Sequence, residues 1–453
     1  MTRMRVALVT GAVGFLGMFT VKALLEDPRG YHVLALIRGK EDQSAQSRLD
    51  ELKRTLELDP TAAERLHCVD ATIGPDLDID GLAARLKAIL DDLHTKRIDV
   101  VIHCAASLKQ EHDRMQEERR ERIRAQNMST NVEGTTALLG ALGKLASGGP
   151  DVVRIVRPSI VMGKESNTGV MAFLSFLERK TCGVRNLTLL KLVGSIAPRI
   201  ALVGNPECIL DVIDVSDVMA AMMAFVKEDD KRDDEIDTSG YTLGAFHYVS
   251  TAYVHGTRQG LLLEEIVIGK TDFVGEKQFN NSYEESKALA EEAIRGWFHR
   301  LLMTSKQSEQ LADRFIVNNV TNAHSTTLLE FNCRMFSSAT GWDSKGASKK
   351  FIYVRSVPEL KEAVRSSWFG RGRIGKLWIS FWIRAYVLWP YLLRPSGTRF
   401  DTTNTKKCVG ASWTIERVHT YGSYHTGLLG PVTSIKSKPP VPTWRKLLCC
   451  GSK

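Results

Sequence analysis

The hydrophobic pattern near the start of the chain predicts a strand, a glycine-rich turn and a helix in direct succession. Residues Arg5 to Thr10 are mostly apolar, as in a buried parallel strand, and they stop at a turn with three glycines. A helical stripe follows directly, formed by Phe15, Val21, Leu24 and Leu25. The switch from strand pattern to helix pattern across glycines favours a βα unit.

The three glycines of this turn have the spacing of a dinucleotide phosphate loop. Gly11 would make the tight turn, Gly14 would let the backbone approach a pyrophosphate, and Gly17 would let the helix pack on its strand. The helix N-terminus would then face the anion. The alternative is an ordinary glycine turn. The cofactor contacts expected here are Thr10, Gly11, Val13, Gly14, Phe15, Leu16 and Gly17.

Apolar runs and helical patterns continue to alternate further along the chain. Alternation of this kind is typical of α/β folds. We therefore expect an α/β fold, a Rossmann-type doubly wound parallel sheet with a smaller, mostly helical carboxyl-terminal region. The predicted elements are strands over 32–37, 66–69, 99–106, 152–163 and 246–251, and helices over 82–93, 137–145 and 283–302.

We expect the chain to divide into three parts. Residues 1–330 would form the dinucleotide-binding domain, with a substrate-side segment over about 164–240. Residues 331–435 would form the helical region. Residues 436–453 carry prolines and lysines and are expected to be a mobile basic tail.

The residues at the ends of the next strands bear on the choice of cofactor. The second strand ends at Arg38, where an acidic residue would favour NAD and a cation favours the 2′-phosphate of NADP. Arg48, expected one turn into the next helix, is a second candidate phosphate contact or else a solvated residue. Asp70 ends the third strand and is a weaker adenine contact. Ala105 and Ala106 leave room for the cofactor. Because Arg38 and Arg48 suit a 2′-phosphate, we expect that the cofactor is NADPH.

Charge and cysteine content narrow the possible partners. The formal net charge of +9 suits a polyanionic ligand or an anionic membrane surface, although a mildly basic soluble protein would show it too. No basic run lies on a recognisable nucleic-acid module, so no nucleic acid is expected. The eight cysteines have no metal-like spacing, so we expect no metal and a reduced, intracellular protein. No amino-terminal signal peptide is expected.

An aromatic stretch over residues 377–393 has two interpretations. It holds three tryptophans and two tyrosines beside a basic flank, a composition suited to a membrane interface. Arg384 near its centre and Pro390 near its end argue against a spanning helix. The stretch is either a monotopic anchor that admits acyl chains or a buried helix of a carboxyl-terminal domain.

Two later segments carry the candidate chemistry. A strand ends at Thr251, and a helix begins near Tyr283, with Lys287 four residues on and so on the same face. A neighbouring ammonium would favour the tyrosine phenolate and bring its pKa towards the useful range. Thr251 would share the substrate oxygen with Tyr283. Asn131 is expected to hold a water or a backbone carbonyl behind the site, or else to cap a helix.

These motifs together resemble the fatty acyl-CoA reductase family, the male-sterility type related to thioester reductases among extended short-chain dehydrogenases. The resemblance covers roughly residues 1–330. It implies a Rossmann fold, NADPH, a long-chain acyl-CoA substrate, and Thr251, Tyr283, Lys287 and Asn131 as catalytic residues. The motifs are Thr10-Gly11-x-x-Gly14-x-x-Gly17, Val249-Ser250-Thr251-Ala252-Tyr253-Val254-x-Gly256, Tyr283-Glu284-x-Ser286-Lys287 and Arg157-Pro158-Ser159-Ile160-Val161-x-Gly163. In the last motif, Pro158, Ser159 and Ile160 are further expected cofactor contacts, and Tyr283 and Lys287 are expected to touch the cofactor as well.

The order of these motifs departs from the family. In relatives the Arg-Pro-Ser strand follows the catalytic strand and helix, whereas here residues 152–163 precede them. If the family sheet is kept, the strand at 246–251 must insert between those at 100–106 and 152–158. The alternatives are a rearranged sheet with a displaced site, or a sequence whose segments were joined in the wrong order.

The expected activity is NADPH-dependent reduction of a long-chain acyl-CoA to an aldehyde, a primary alcohol, or both. The alternatives are another extended short-chain dehydrogenase acting on a sugar nucleotide or a sterol, and a non-catalytic NADP-binding relative. The expected location is the cytosolic face of the endoplasmic reticulum or peroxisome, with membrane contact through 377–393.

Overall fold

Seven parallel strands form one central sheet in the computed structural model of the chain. The structure describes residues 3–40, 42–111, 115–146, 148–162, 199–232, 240–270, 272, 278–304, 314–321, 326–333, 348–366, 373–384, 389–394 and 397–410. The predicted tail at 436–453 and most of the predicted substrate-side segment, 164–198, lie outside these residues.

The strands and helices of the described residues are numbered in chain order. The strands are β1 (Arg5–Thr10), β2 (Tyr31–Ile37), β3 (Leu66–Asp70), β4 (Arg97–His103), β5 (Pro150–Pro158), β6 (Ile160–Met162), β7 (Ile200–Val203), β8 (Ile209–Leu210), β9 (Val212–Asp214), β10 (Thr242–Val249), β11 (Leu261–Leu262), β12 (Phe315–Val320), β13 (Thr326–Thr327), β14 (Phe351–Val354) and β15 (Arg399–Phe400). The helices are α1 (Phe15–Glu26), α2 (Ala45–Thr55), α3 (Pro60–Glu64), α4 (Ile79–Asp92), α5 (Glu117–Asn127), α6 (Gly134–Leu145), α7 (Val215–Asp229), α8 (Ser282–Thr304), α9 (Val357–Arg365), α10 (Arg373–Arg384), α11 (Trp389–Leu392) and α12 (Thr403–Val409).

Helices cover both faces of the central sheet, which makes it doubly wound. On one face α1, α2 and α7 contribute buried side chains such as Val21, Leu49 and Phe225. On the other face α4, α6 and α8 do the same, with Leu86 and Phe298 among them. Parallel strands covered on both faces read as continuous apolar runs, which explains why the sequence pattern located them. The predicted Rossmann-type α/β fold is confirmed.

The strand order is β12-β5-β10-β4-β1-β2-β3, so β10 lies between two strands that precede it in the chain. Ala245 of β10 pairs with Val100 of β4 on one side and with Val152 of β5 on the other. This is the arrangement expected if the family sheet is kept despite the exchanged motif order. The rearranged sheet with a displaced site is not what the structure shows.

Two buried ion pairs tie β5 to the elements that follow it in the chain. Arg154 donates from Nε and Nη2 to the Asp229 carboxylate of α7, at 2.7 and 2.6 Å. Arg157 binds Glu291 of α8 in the same bidentate way, with its Nε at 2.9 Å from Oε1. Removing one member of such a buried pair leaves an uncompensated charge. The pairs therefore favour this placement of β5, beside β10 and within reach of α7 and α8.

The chain divides into two compact units. The first combines residues 1–162, 211–325 and 397–415 and contains the central sheet. The second draws on 163–210 and 326–396, together with the carboxyl-terminal part of the chain from residue 416 onwards. The predicted domain over 1–330 includes 163–210, and the predicted helical region over 331–435 includes 397–410, so each takes in a segment that the structure assigns to the other unit.

The second unit, in its described residues, pairs β7 with β14 and β8 with β13 beside α9, α10 and α11. Trp378, Trp389 and Tyr391 of the aromatic stretch are buried there. The Trp378 indole Nε1 donates to the Ala201 carbonyl at 2.7 Å. Their packing agrees with the buried-helix interpretation of residues 377–393. Among the described helices, none is long and apolar enough to span a bilayer.

Candidate active site

The glycine loop follows β1 directly and packs against the end of β4. Gly11 adopts φ +67°, and a Cβ on it would lie 2.7 Å from the Ala105 nitrogen. A Cβ on Gly17 would lie 2.0 Å from the Gly11 carbonyl oxygen. Gly14 is exposed, and its nitrogen donates to the Gly11 oxygen at 2.8 Å. The first and third glycines thus serve the turn and the helix packing, while the second leaves the loop surface open.

The first turn of α1 presents free backbone donors at this loop. Gly14 is the N-cap residue, and no side chain caps the helix. Orphan N–H groups at a helix N-terminus attract phosphate. Ala105 is placed against Gly11 and borders the loop, and both Ala105 and Ala106 are half-buried. The loop therefore fits the pyrophosphate of a dinucleotide.

The two predicted 2′-phosphate ligands lie together at the end of β2. Arg38 is exposed just beyond the strand, and Arg48 lies in the first turn of α2. The Arg48 Nη1 donates to the Arg38 carbonyl oxygen at 2.5 Å. Asp70 is exposed at the end of the neighbouring strand, β3, paired with Ile37. A cationic pair therefore stands where the adenosine ribose of a dinucleotide binds in this fold.

The predicted contacts Pro158, Ser159 and Ile160 lie at the carboxyl end of β5, on the same sheet edge as the glycine loop. Ser159 is buried, and its nitrogen donates to the Val320 oxygen at 3.2 Å. Since β10 and β4 separate β5 from β1 and strands are about 4.8 Å apart, these residues lie roughly 14 Å across the sheet from the loop. They are placed for the far end of an extended dinucleotide.

The structure brings the predicted catalytic residues together. Tyr283 and Lys287 lie on one face of the first turns of α8, and the Tyr283 side chain is hydrogen-bonded to that of Thr251. Lys287 is 2% exposed, and its Nζ donates to the Val249 carbonyl at the end of β10, at 2.8 Å. The same ammonium lies 4.5 Å from the Tyr248 ring centroid. The two hydroxyls and the ammonium therefore converge at the carboxyl edge of β10.

The pKa directions at this site differ from the expected one. Burial raises the pKa of Tyr283 above its usual value near 10, and the charge of Glu284 raises it further. The lower Tyr283 pKa expected from the Lys287 ammonium stays a prediction; in the structure the Lys287 Nζ donates to the Val249 carbonyl. Burial also lowers the pKa of Lys287 to about 8. At neutral pH Tyr283 is therefore a protonated hydrogen-bond donor.

Asn131 lies in a π-helical turn, Met128–Glu133, between α5 and α6, and caps no helix. Its Oδ1 accepts from the Ser107 nitrogen at 2.7 Å, and its Nδ2 donates to the Ser107 oxygen at 3.1 Å. The same Nδ2 donates to the Ser286 hydroxyl at 2.9 Å. The expectation of a backbone carbonyl held behind the site agrees with this geometry, and helix capping does not.

Several residues that form hydrogen bonds to the first residue of α8 were not predicted from the sequence. Asn127 Nδ2 donates to the Ser282 hydroxyl at 2.8 Å and Ser107 donates to Asn127 Oδ1 at 2.7 Å. Glu111 accepts from the Ser282 nitrogen and hydroxyl at 2.5 and 2.7 Å. The sequence shows only that Asn127 lies four positions before Asn131 and that Ser282 directly precedes Tyr283. Sequence spacing does not reveal that these two segments are in contact.

His103 ends β4 and Cys104 follows it, and neither side chain is charged near neutral pH. Burial lowers the pKa of His103 to about 3 and raises that of the Cys104 thiol to about 12. A thiol with such a pKa is protonated at neutral pH and is a poor nucleophile. Among the described residues, no cluster of metal-ligating side chains was found.

Comparison with known families gives one substantial match. The male sterility protein model, an NAD-binding family, matches residues 9–148 and 238–304, together fewer than half of the chain. These segments hold the glycine loop, Asn131 and the Thr251–Tyr283–Lys287 group. The match omits 149–237, which contains β5 and α7, as expected for a segment out of the family's order. Together with the sheet, it supports an NAD(P)-binding oxidoreductase of the extended short-chain dehydrogenase/reductase type.

Individual proteins show more distant similarity. D-lysergyl-peptide-synthetase subunit 3 from Claviceps purpurea is 50% identical over 46 residues, which cover 10% of this chain and 3% of that protein. The terminal R domain of the myxalamid PKS-NRPS pathway is 15% identical, with a TM-score of 0.45 over 91% of this chain and 86% of that one. A UDP-glucuronic acid 4-epimerase mutant from Bacillus cereus is 12% identical, with a TM-score of 0.42 over 93% and 99%.

Proposed function

We propose that the protein reduces a long-chain fatty acyl-CoA thioester with NADPH, giving the aldehyde, the primary alcohol, or both. The observation that carries this proposal is the Thr251–Tyr283 hydroxyl pair beside buried Lys287, within segments that match the male sterility model. The thioester substrate comes from the resemblance of the motifs to acyl-CoA reductases.

The residues present fit a nicotinamide dinucleotide. A Cβ at Gly11 or Gly17 would fill the loop, and uncapped N–H groups of α1 face the position of a pyrophosphate. The exposed Arg38 beside Arg48 favours NADPH over NADH, since two cations can bind a 2′-phosphate bidentately. Bound NADPH would supply the hydride that adds to the thioester carbonyl carbon.

The side chains of this protein would bind the oxygen on which charge develops. Thr251 and Tyr283 donate hydrogen bonds to that oxygen, and such donors stabilise an oxyanion best in a dry site. The raised pKa of Tyr283 keeps its proton in place until the oxyanion forms. Lys287 would leave Val249 to bind the nicotinamide ribose, and its charge would then ease proton loss from Tyr283. In the collapse of the tetrahedral adduct the proton returns from the oxygen to Tyr283, the aldehyde carbonyl forms, the C–S bond breaks, and coenzyme A leaves as the thiolate.

The test is NADPH consumption with palmitoyl-CoA, comparing the wild type with Tyr283→Phe. Removing the hydroxyl is expected to reduce kcat by about 100-fold or more, because it deletes the proton donor and one oxyanion ligand. Tyr241→Phe is the matched control, since Tyr241 precedes β10 at the opposite edge of the sheet and its hydroxyl binds only Asp91 among described partners. The control is expected to keep full activity.

Three outcomes separate the interpretations. Turnover lost only in Tyr283→Phe supports the proposal. Wild-type turnover of a nucleotide sugar or a sterol, but not of palmitoyl-CoA, would replace the substrate class and keep the site. Binding of NADPH without any turnover would indicate a non-catalytic relative.

Membrane contact through 377–393 stays a separate prediction, as does the location at the endoplasmic reticulum or peroxisome. The buried side chains of Trp378, Trp389 and Tyr391 support the buried-helix alternative. Flotation with anionic liposomes tests the prediction directly. Protein that stays in the soluble fraction would exclude the anchor.

A further inference from the structure

A series of buried, hydrogen-bonded polar side chains begins next to the proposed cofactor loop. His103, the last residue of β4, lies between Thr10 of β1 and Thr135 of α6, and all three are fully buried. The His103 Nδ1 lies 2.5 Å from the Thr10 hydroxyl, and its Nε2 lies 2.9 Å from the Thr135 hydroxyl. Both ring nitrogens are therefore within hydrogen-bond distance of a hydroxyl.

The neighbouring contacts assign the donor and the acceptor of every hydrogen bond in this series. The Thr135 hydroxyl donates to the Asn131 carbonyl at 2.6 Å, so towards His103 it acts as acceptor and Nε2 must carry the proton. Nδ1 is then an acceptor and takes the Thr10 hydroxyl proton. The Thr10 oxygen in turn accepts from the Ala105 nitrogen at 3.2 Å. Every donor in the series finds an acceptor, with no conflict.

The two ends of this series of hydrogen bonds belong to different parts of the site. Thr10 is the residue before Gly11, and Ala105 packs against that glycine. At the other end, Asn131 binds the Ser286 hydroxyl next to Lys287 in α8. The hydrogen bonds therefore join the cofactor loop to the helix that carries the proposed catalytic tyrosine.

We propose that His103 is a positioning residue that, as the neutral Nε2–H tautomer, holds the glycine loop with one ring nitrogen and the Asn131 turn with the other. The proposal goes beyond the reaction proposed above and rests only on its dinucleotide site. It assigns two separable tasks to one side chain. The Nδ1 contact orients Thr10 for dinucleotide binding, and the Nε2–H contact orients Asn131 and, through Ser286, helix α8.

The surroundings keep the imidazole neutral. Burial lowers its pKa, and the nearby Lys287 ammonium lowers it further. A protonated ring would donate from Nδ1 as well, and the Thr10 hydroxyl proton would then lose its acceptor on the ring. The geometry and the charges thus favour the same tautomer.

The test separates the two tasks with two amide substitutions. In His103→Asn, the amide oxygen can replace Nδ1 as the acceptor for Thr10 but cannot reach Thr135. In His103→Gln, the amide nitrogen can replace Nε2–H as the donor to Thr135 but leaves Thr10 without its partner. Neither readout depends on acyl-CoA turnover: NADPH affinity is measured by fluorescence titration, and order around Asn131 by hydrogen exchange of peptides containing Ser107 and Ser286.

The expected results are opposite for the two variants. His103→Asn keeps NADPH affinity but exchanges about fivefold faster at Ser107, since one hydrogen bond contributes about 1 kcal/mol. His103→Gln keeps the exchange protection and binds NADPH about fivefold more weakly. His247→Asn is the control for loss of a buried histidine, because His247 lies mid-strand in β10, bonded to Asp229 at 2.8 Å. It is expected to lower stability without changing either readout in the folded protein.

Equal losses in both variants, or no change in either, would overturn the proposal. A second measurement covers variants that fail to fold. In the wild type labelled with ¹⁵N-histidine, His103 is expected to show a protonated Nε2 and an unprotonated Nδ1 from pH 5 to pH 9. The opposite tautomer, or a charged ring in that range, would contradict the assignment.

Discussion

Lys287 carries a charge into the core, and its cost to folding can be measured through pH. Its ordinary pKa is 10.5, and burial lowers it to about 8 in the folded protein. Each pKa unit corresponds to about 1.4 kcal/mol, so protonated Lys287 lowers the free energy of unfolding by about 3 kcal/mol. This penalty is complete below pH 8, declines as pH rises from 8 to 10.5, and is absent above that range.

The perturbation is Lys287→Met, which keeps the length of the side chain and removes the charge. The variant also loses the bond from Nζ to the Val249 carbonyl, which costs about 1–3 kcal/mol at every pH. The absolute difference at neutral pH is therefore small. Its pH dependence is the informative quantity, because all other titrating groups are shared by the two proteins.

The assay is urea unfolding of both proteins at pH 7, 8, 9 and 10, followed by circular dichroism. The wild type is expected to gain about 2 kcal/mol relative to the variant between pH 7 and pH 10. The same substitution at Lys144, which is half exposed, is expected to leave the pH dependence unchanged. Parallel stability curves for the wild type and Lys287→Met would refute the assignment of a buried, destabilised ammonium.

Three further changes test the loop, the cofactor choice and the strand insertion. Gly17→Ala places a Cβ 2.0 Å from the Gly11 oxygen, so it is expected to lower thermal stability and abolish NADPH binding. Gly14→Ala is the control: its Cβ would lie 3.1 Å from the nearest atom, so the variant should fold normally and only bind NADPH more weakly in titrations. Arg38→Asp is expected to reduce the ratio of NADPH to NADH affinity by about 10-fold or more, and an unchanged ratio would remove Arg38 from the 2′-phosphate site. Glu291→Gln leaves buried Arg157 uncompensated and should cost about 3–5 kcal/mol in denaturant unfolding, while the double change of Arg157→Met with Glu291→Leu should recover most of it. A double variant as unstable as the single one would mean that the pair does more than balance charge.

The local parts of this protein follow from the sequence alone. A strand, a turn with φ > 0 and a helix lie within residues 5–26, so the glycine loop could be predicted without tertiary information. The four-residue spacing of Tyr283 and Lys287 likewise fixed their common helix face. The doubly wound sheet followed from apolar runs alternating with helical patterns. In each case the signal lies within one or two adjacent elements.

The way in which those parts combine depends on tertiary contacts. The exchanged motif order left the position of β10 open, and sheet pairing placed it between β4 and β5, where buried Arg154 and Arg157 find their carboxylates. Burial and the charge of Glu284 raise the pKa of Tyr283, and the Lys287 ammonium donates to the Val249 carbonyl; the four-residue spacing of Tyr283 and Lys287 contains neither contact. Buried hydrogen bonds join residues far apart in the chain, such as Lys287 and Val249, 38 positions apart, and Arg157 and Glu291, 134 positions apart. Periodicity carries no information over such separations.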